Sequence, residues 1–282
     1  MGKIIAFFAD KFGYVLNFIY GFVGNYGVAI ILFSVLIKLI MLPLSIKQQK
    51  TMKKTQKVQV KLKEIQKKYE NDQTKLAQET MNVYKEENVS PMSGCLSSIF
   101  QFIILISIFF MVRQPLTYML RLPQNDEDKY NTYLEMVEDT NMSKRGYQEI
   151  AIIKEARDNE EIDVDINMNF LGLDLSNVPS SNYKDPTVYI IPGLYVVSSM
   201  ISMKLTTMMT TKKKKKEEKS EEDEEDMTET LNKQMSIMMP FMAVSIAAFA
   251  PLGMALYWLT NNILMTIERI ILNKFISSKE EE

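Results

Sequence analysis

Apolar residues of this chain are gathered into five long blocks, and four of these have the length of a membrane-spanning helix. The remaining block, 235–250, is short, because about sixteen residues at about 1.5 Å each reach only about 24 Å across a hydrocarbon core of about 30 Å. The pattern predicts an all-α polytopic membrane protein with five transmembrane helices and a locally thinned bilayer. The predicted spans, numbered one to five, are 26–46, 95–112, 187–209, 235–250 and 252–276.

Two further segments have helical patterns that do not predict a span. Residues 1–25 are apolar and aromatic but carry Asp10 and Lys11, which favours an amphipathic helix at the membrane interface over a cleaved signal peptide. Residues 47–94 predict a hairpin of two amphipathic helices, either a solvated connection between spans one and two or a docking and gating element. Its predicted apolar stripes are Val58, Leu62, Ile65 and Tyr69 in the first arm and Leu76, Met81 and Tyr84 in the second.

The signs of the loop charges predict the orientation of the spans. Lysines crowd the start of 47–94 and recur at Lys212–Lys216, so both loops are predicted to be cytoplasmic. The segment 113–186 carries fifteen Asp and Glu against eight Lys and Arg and is predicted to be extracellular. The N-terminus then lies outside and the tail 277–282 lies in the cytoplasm.

The loops themselves are less regular. The run Lys212–Asp226 contains no apolar residue, which predicts a disordered cytoplasmic loop over 210–234. Residues 120–168 mix Tyr, Leu, Met and acids without a clear period, and we expect a small helical cap there.

Composition narrows the possible chemistry. The chain has no histidine and a single cysteine, Cys95. Histidine-based acid and base catalysis, Cys/His zinc sites and internal disulfides therefore have no residues to build them. We expect no cofactor, no resident metal and no enzymatic activity.

Lys38 is the only charge within span one. An ammonium in the bilayer costs about 2.5 to 3.5 kcal/mol on insertion scales unless it meets water or a partner. Ser34 lies one helical turn before Lys38 and Ser45 two turns after it, so one narrow face of the span is polar. Lys38 either lines a functional site or extends its side chain to the cytoplasmic interface.

Polar residues of the other spans fall at similar depth, in the cytoplasmic halves or near the middle. Lipid cannot satisfy such groups, so we expect them to surround a hydrophilic groove that opens to the cytoplasm and is closed outside. A serine or threonine could instead bond its own backbone. The candidates beside Lys38 and Ser34 are Ser97 and Gln101 in span two, Ser198, Ser202 and Thr206 in span three, and Thr260, Asn261, Asn262 and Thr266 in span five.

Several short motifs follow one another along most of the chain. Each is weak alone, and their order is what makes them specific. They are Leu42-Pro43, Ser90-Pro91, Gly94-Cys95-Leu96 with Gln101, Phe170–Leu175, Met238–Met242, Pro251-Leu252-Gly253, and Leu256-Tyr257-Trp258 with Asn261 and Asn262.

In these motifs the chain resembles the YidC family of membrane protein insertases, in the five-span form of Gram-positive bacteria. The resemblance implies an insertase and chaperone of the cell membrane that moves client transmembrane segments into the bilayer without nucleotide hydrolysis. Lys38 stands where the family usually has a groove arginine. The implied substrate groove comprises Lys38, Ser34, Gln101, Ser97, Ser202, Asn261, Asn262 and Trp258.

The partners implied by the resemblance are nascent membrane proteins and the lipid bilayer, with the ribosome and the Sec translocon left open and no DNA. Three other readings remain. A small proton-coupled transporter could use Lys38 as its titrating site, although the sequence has no internal repeat of the transporter type. A structural assembly factor overlaps with the insertase. An intramembrane hydrolase would need a nucleophile such as Ser34 activated by Lys38.

Overall fold

The computed structural model describes residues 2–87, 93–217 and 248–278. Nearly all of its elements are helices, joined by one two-stranded antiparallel hairpin and a 3-10 turn at Pro186–Tyr189. The elements are α1 Gly2–Val23, α2 Tyr26–Lys68, α3 Gln73–Glu86, α4 Ser93–Arg113, α5 Pro115–Tyr118, α6 Leu122–Asn125, α7 Glu127–Val137, α8 Asn141–Lys144, α9 Gln148–Glu155, β1 Asn169–Phe170, β2 Leu173–Asp174, α10 Ile190–Glu217 and α11 Leu252–Ser278.

Within the described residues, three helical stretches are long and apolar enough to cross a membrane: Gly2–Val23, Tyr26–Thr51 and Pro186–Thr206. Ile99–Arg113 is a shorter apolar helix. The chain is thus an all-α membrane protein, as the sequence predicts. Five spans remain a prediction, because nearly all of span four, 235–250, lies outside the described residues.

Helix α2 joins span one to the first arm of the predicted hairpin without a break. It begins at Asn25, whose side chain accepts a hydrogen bond from the Val28 amide at 3.1 Å. It then continues through Pro43, which removes one backbone donor and is tolerated in membrane helices whose neighbours support them. The lysine-rich arm is therefore a continuous helical extension of the span.

The second arm, α3, packs back on this extension. Asp72 caps α3 by accepting from the Lys75 amide at 3.0 Å. Val58 and Val83 are buried between the arms. Met81, which the periodicity places in the apolar stripe, is 51% exposed. The residues that surround the buried pair are Leu62, Ile65 and Tyr84.

Helix α1 lies against α4 and α2, where it makes aromatic contacts. The ring centroids of Phe8 and Phe100 are 6.4 Å apart, and those of Phe12 and Phe33 are 5.8 Å apart. Since α1 is also apolar enough to span a membrane, its interfacial position stays a prediction.

The segment between α4 and α10 forms what we call the cap, residues 114–185. Its centre is the buried carboxylate of Glu149 on α9. One carboxylate oxygen accepts from the amides of Leu116 and Thr117 at 2.6 and 3.0 Å. The other accepts from the hydroxyls of Thr117 and Tyr130. One side chain thereby ties α5, α7 and α9 together.

Backbone hydrogen bonds fasten the cap to α2 on one side. The Tyr26 amide donates to the Asn167 carbonyl of the cap at 2.9 Å, while the Tyr26 hydroxyl donates to the Val112 carbonyl of α4 at 3.1 Å. Gly27 faces the Phe170 ring so closely that an added Cβ would lie 2.6 Å from it. Only glycine fits here without a shift of the cap.

The cap also binds the first residues of α11. The Leu252 amide donates to the Asn177 carbonyl and the Gly253 amide donates to the Leu175 carbonyl, each at 2.9 Å. Leu175, Leu252 and Tyr26 are fully or almost fully buried. The cap therefore seals the ends of α2 and α11 that it contacts.

Helix α10 continues to Glu217, into the stretch 210–234 that the composition predicts to be disordered. The remainder of that loop, from 218, lies outside the described residues.

Glu149→Ala is expected to lower the free energy of unfolding by about 2 to 4 kcal/mol, because it leaves the buried amides of Leu116 and Thr117 without an acceptor. Glu149→Gln keeps an acceptor for both amides and offers donors to the hydroxyls of Thr117 and Tyr130, so it should cost much less. Thermal unfolding of the purified protein in detergent measures both changes. Equal losses in the two variants would contradict the acceptor role.

The native protein and Glu149→Gln together test a pH effect. Burial raises the pKa of the Glu149 carboxyl, and the hydrogen bonds that it accepts only partly oppose this. The folded state then holds the proton more tightly than the unfolded state. The stability of the native protein therefore falls as the pH rises from the pKa of this carboxyl in the unfolded state to its higher pKa in the folded state. Glutamine does not titrate. The melting temperature of Glu149→Gln relative to native should therefore be higher at pH 7 than at pH 4.

Candidate functional site

A small polar cleft lies between α2, α4 and α11. Its volume is about 30 Å³, which is room for on the order of one water molecule. Lys38 comes from α2, Gln101 from α4 and Asn261 from α11. The full lining is Ser34, Ile37, Lys38, Met41, Gln101, Ile104, Leu105, Ile108, Tyr257 and Asn261.

Lys38 does not face this cleft as an isolated charge. Its Nζ lies 2.8 Å from Oε2 of Glu268 on α11, and the two side chains are only 16% and 13% exposed. Attraction across such a partly desolvated pair is much stronger than in water, and it offsets part of the cost of burying both charges. The pair joins α2 to α11 at some distance from the cap.

The position of the pair follows from helix geometry. Lys38 lies about 18 Å along α2 from Tyr26, and Glu268 lies about 24 Å along α11 from Leu252, at about 1.5 Å per residue. Because the ends at Tyr26 and Leu252 both contact the cap, the lysine side chain must extend away from the cap to reach the carboxylate.

Glu268 is a site residue that the sequence reasoning missed. It is the only acid between residues 252 and 276. A signal was available in the sequence, because Glu268 is a lone acid in span five at a depth similar to that of the lone Lys38 in span one. Its Oε1 is buried, and within the described part of the chain it has no hydrogen-bond partner.

The other polar groups of the cleft differ in how they are satisfied. The Ser34 hydroxyl donates to the Ile30 carbonyl of its own helix at 2.7 Å. Gln101 is exposed. The Asn261 amide has a long contact, 3.6 Å, with the Met265 sulfur. Gln101 and Asn261 are therefore the uncharged groups of the lining most available to exchange hydrogen bonds with a bound chain.

Asn262 and Ser202 lie elsewhere, between α10 and α11. Asn262 Nδ2 donates to the hydroxyls of Ser198 and Ser199 at 3.1 and 2.8 Å. The Thr266 hydroxyl lies 2.8 Å from that of Ser202. One turn further on, Arg269 donates to Thr206. These contacts form a polar seam that holds the two helices together, and none of its residues lines the cleft.

The last two predicted residues are also outside the lining. Trp258 is partly buried and packs against the main hydrophobic core. Ser97 lies in α4, but its side chain is outside the described residues. The structure thus brings together Lys38, Ser34, Gln101 and Asn261, and it separates them from Ser202, Asn262 and Trp258.

Long apolar helices around a cleft that is lined by a partly buried lysine define a class, the multi-pass α-helical membrane proteins that keep a polar site between their spans. Within that class the chain belongs to the 60Kd inner membrane protein family, whose model matches residues 18–280. This confirms the resemblance to the YidC insertases. The Gram-positive form stays a prediction.

Individual relatives agree with this assignment. The chain is 29% identical over 262 residues to the membrane protein insertase YidC of Rickettsia africae, which covers 93% of this chain and 38% of that protein. The protein of the same name from Rickettsia prowazekii is 27% identical over the same length. That from Syntrophus aciditrophicus is 41% identical over 107 residues, 38% of this chain and 19% of that protein. The chain therefore spans well under half the length of these relatives.

Proposed function

We propose that this protein is a membrane protein insertase and chaperone that passes client transmembrane segments from the cytoplasm into the bilayer through the cleft between α2, α4 and α11. The observation that carries the proposal is the placement of one lysine, Lys38, with the polar side chains of Gln101 and Asn261 in a cleft between long apolar helices. Ionisable side chains inside a membrane are costly, and they generally mark the path of a substrate or ion.

The cap supports an entry from one side only. Its backbone bonds to Tyr26, Leu252 and Gly253 close one end of the helix bundle. A pore needs a polar lining through both leaflets, which does not fit a site sealed at one end. With the cap outside, the cleft opens toward the cytoplasm, the N-terminus lies outside and the C-terminus lies inside.

The mechanism is thermodynamic. The polar tail of a client enters the cleft, where Lys38 attracts its acidic residues and Gln101 and Asn261 replace some of its water contacts. The client's apolar segment moves along the exposed apolar faces of α10 and α11 into lipid. Burial of that segment supplies the driving force, and a short span four with a thinned bilayer shortens the path of the tail.

Nascent membrane proteins are the proposed partners. The lysine-rich arm of α2 and the hairpin that it forms with α3 offer a basic cytoplasmic surface, on which a ribosome could dock beside or apart from the Sec translocon. Membership in the family and the relatives named insertases support the same function.

The test is insertion of a single-span client with a short acidic tail into liposomes that contain the purified full chain. We expect insertion with the native protein and none in protein-free liposomes, measured by protease protection of the tail. No insertion in either case, together with proton-driven uptake of a solute, would replace the insertase with the carrier that uses Lys38.

A further inference from the structure

We propose that Glu268 is the resident counter-ion of the cleft. Its carboxylate pairs with Lys38 when no client is bound, and a carboxylate of the entering client takes its place. The inference rests on the proposed insertase function and adds the residue that determines when Lys38 is available. Its basis is the 2.8 Å contact between Lys38 Nζ and Glu268 Oε2.

The pair restricts what a client meets. Lys38 is the only charged side chain among the described residues that line the cleft. Its Nζ is already bound to a carboxylate, and the side chain is 16% exposed. An acidic client residue therefore does not find a free ammonium group. It must compete with Glu268 for the same atom.

Exchange of one carboxylate for another avoids an uncompensated charge. A lysine left alone in a partly buried site would carry the full cost of desolvation. If the client carboxylate arrives as Glu268 leaves, Lys38 stays paired throughout. A neutral client tail offers no replacement, so it leaves the pair intact.

The environment of Glu268 favours its release. Within the described part of the structure, its buried Oε1 has no hydrogen-bond partner. A carboxylate accepts hydrogen bonds on both oxygens when it is in water. Rotation of Glu268 away from α2 toward the cytoplasmic end of α11 would satisfy both oxygens.

The pair also joins α2 to α11 at the Lys38 side of the cleft, so exchange has a mechanical consequence. The present cleft has a volume of only about 30 Å³, too small for a peptide segment. Loss of the contact between Lys38 and Glu268 releases α11 from α2 at this depth. An acidic residue of the client would then open the cleft, because it replaces the Glu268 carboxylate whose contact with Lys38 keeps the cleft narrow.

A zero-length crosslink tests the exchange in the native protein. A membrane-permeant carbodiimide couples an amine and a carboxylate in direct contact into an amide, and mass spectrometry identifies the joined peptides. In liposomes without client we expect a crosslink between Lys38 and Glu268. A client with an acidic tail should reduce it at least threefold and give a crosslink from Lys38 to the client. The same client with Asn and Gln in its tail should leave it unchanged.

Variants provide the second measurement. Glu268→Gln frees Lys38, so the acidic-tail client should reach half-maximal insertion at about a threefold to tenfold lower concentration, with a clearly smaller gain for the neutral-tail client, which profits only from the released contact between α2 and α11. Glu64→Gln removes one acid from an exposed site on α2, away from the cleft, and is the matched control that should change neither.

The outcomes separate this inference from the function on which it rests. If clients insert while the internal crosslink is absent or is unaffected by acidic client, the exchange is wrong and the insertase remains. If Glu268→Gln improves the insertion of both clients equally, Glu268 acts only through its structural contact between α2 and α11. If the native protein inserts neither client, the proposed function itself fails.

Discussion

Replacement of Lys38 by alanine is expected to lower the free energy of unfolding by about 3 kcal/mol and to reduce insertion of an acidic-tail client at least tenfold. The first effect arises because Glu268 would keep a partly buried carboxylate with no cation beside it. The second arises because the groove would lose its only charged lining residue among those described. Thermal unfolding and the liposome assay measure them separately.

Two further variants distinguish the loss of stability from the loss of insertion activity. In Lys38→Ala with Glu268→Gln, both charges are gone, so most of the stability should return while insertion of the acidic-tail client stays low. Lys38→Arg keeps the charge and the ion pair and should retain at least half of the native activity. If the double variant inserts as well as the native protein, the charge is not needed and the groove acts through hydration alone.

Replacement of Gly13 by valine is expected to separate α1 from the helices on which it packs. A Cβ added at Gly13 would lie 2.1 Å from the Tyr118 carbonyl oxygen and 2.8 Å from the Tyr118 Cβ. Backbone cannot yield as a flexible side-chain end can, so the whole of α1 must shift. We expect a loss of about 3 kcal/mol or more in the free energy of unfolding, at the upper end for overpacking.

Gly21 supplies the control for this steric effect. It lies in the same helix, and no atom lies within 4 Å of a Cβ added there. Gly21→Ala should leave the melting temperature unchanged or raise it, since alanine favours the helix by about 1 kcal/mol over glycine. If Gly13→Val is as stable as Gly21→Ala, the contact of α1 with Tyr118 does not form.

Some elements could be predicted because a local pattern determines them. Long apolar runs identify α2, α4, α10 and α11, since a helix satisfies all its own backbone groups and needs no distant partner. Lys38 was recognisable as a site residue for a similar reason. The free-energy cost of a lysine inside a span depends on the residue type and on its depth in the membrane, and both can be read from the sequence.

The structure of the cap could not be predicted from a local pattern. Residues 120–168 have no clear period, because the short helices there are held by contacts such as those of Glu149 with Leu116 and Thr117, more than thirty positions away. The same limit applies to α1. Asp10 and Lys11 within its apolar sequence suit an interface, but its packing depends on Gly13 meeting the distant Tyr118.

The sequence by itself determined the class of protein, its apolar helices, its family motifs and the presence of a lone charge in span one. Those follow from local composition and order. Only the tertiary structure decided which polar residues share a site. It placed Gln101 and Asn261 beside Lys38, moved Asn262 and Ser202 into the seam between α10 and α11, and brought Glu268 to Lys38. The reason is that depth can be counted along one helix, whereas the rotation of each helix about its axis is set by its packing against the others.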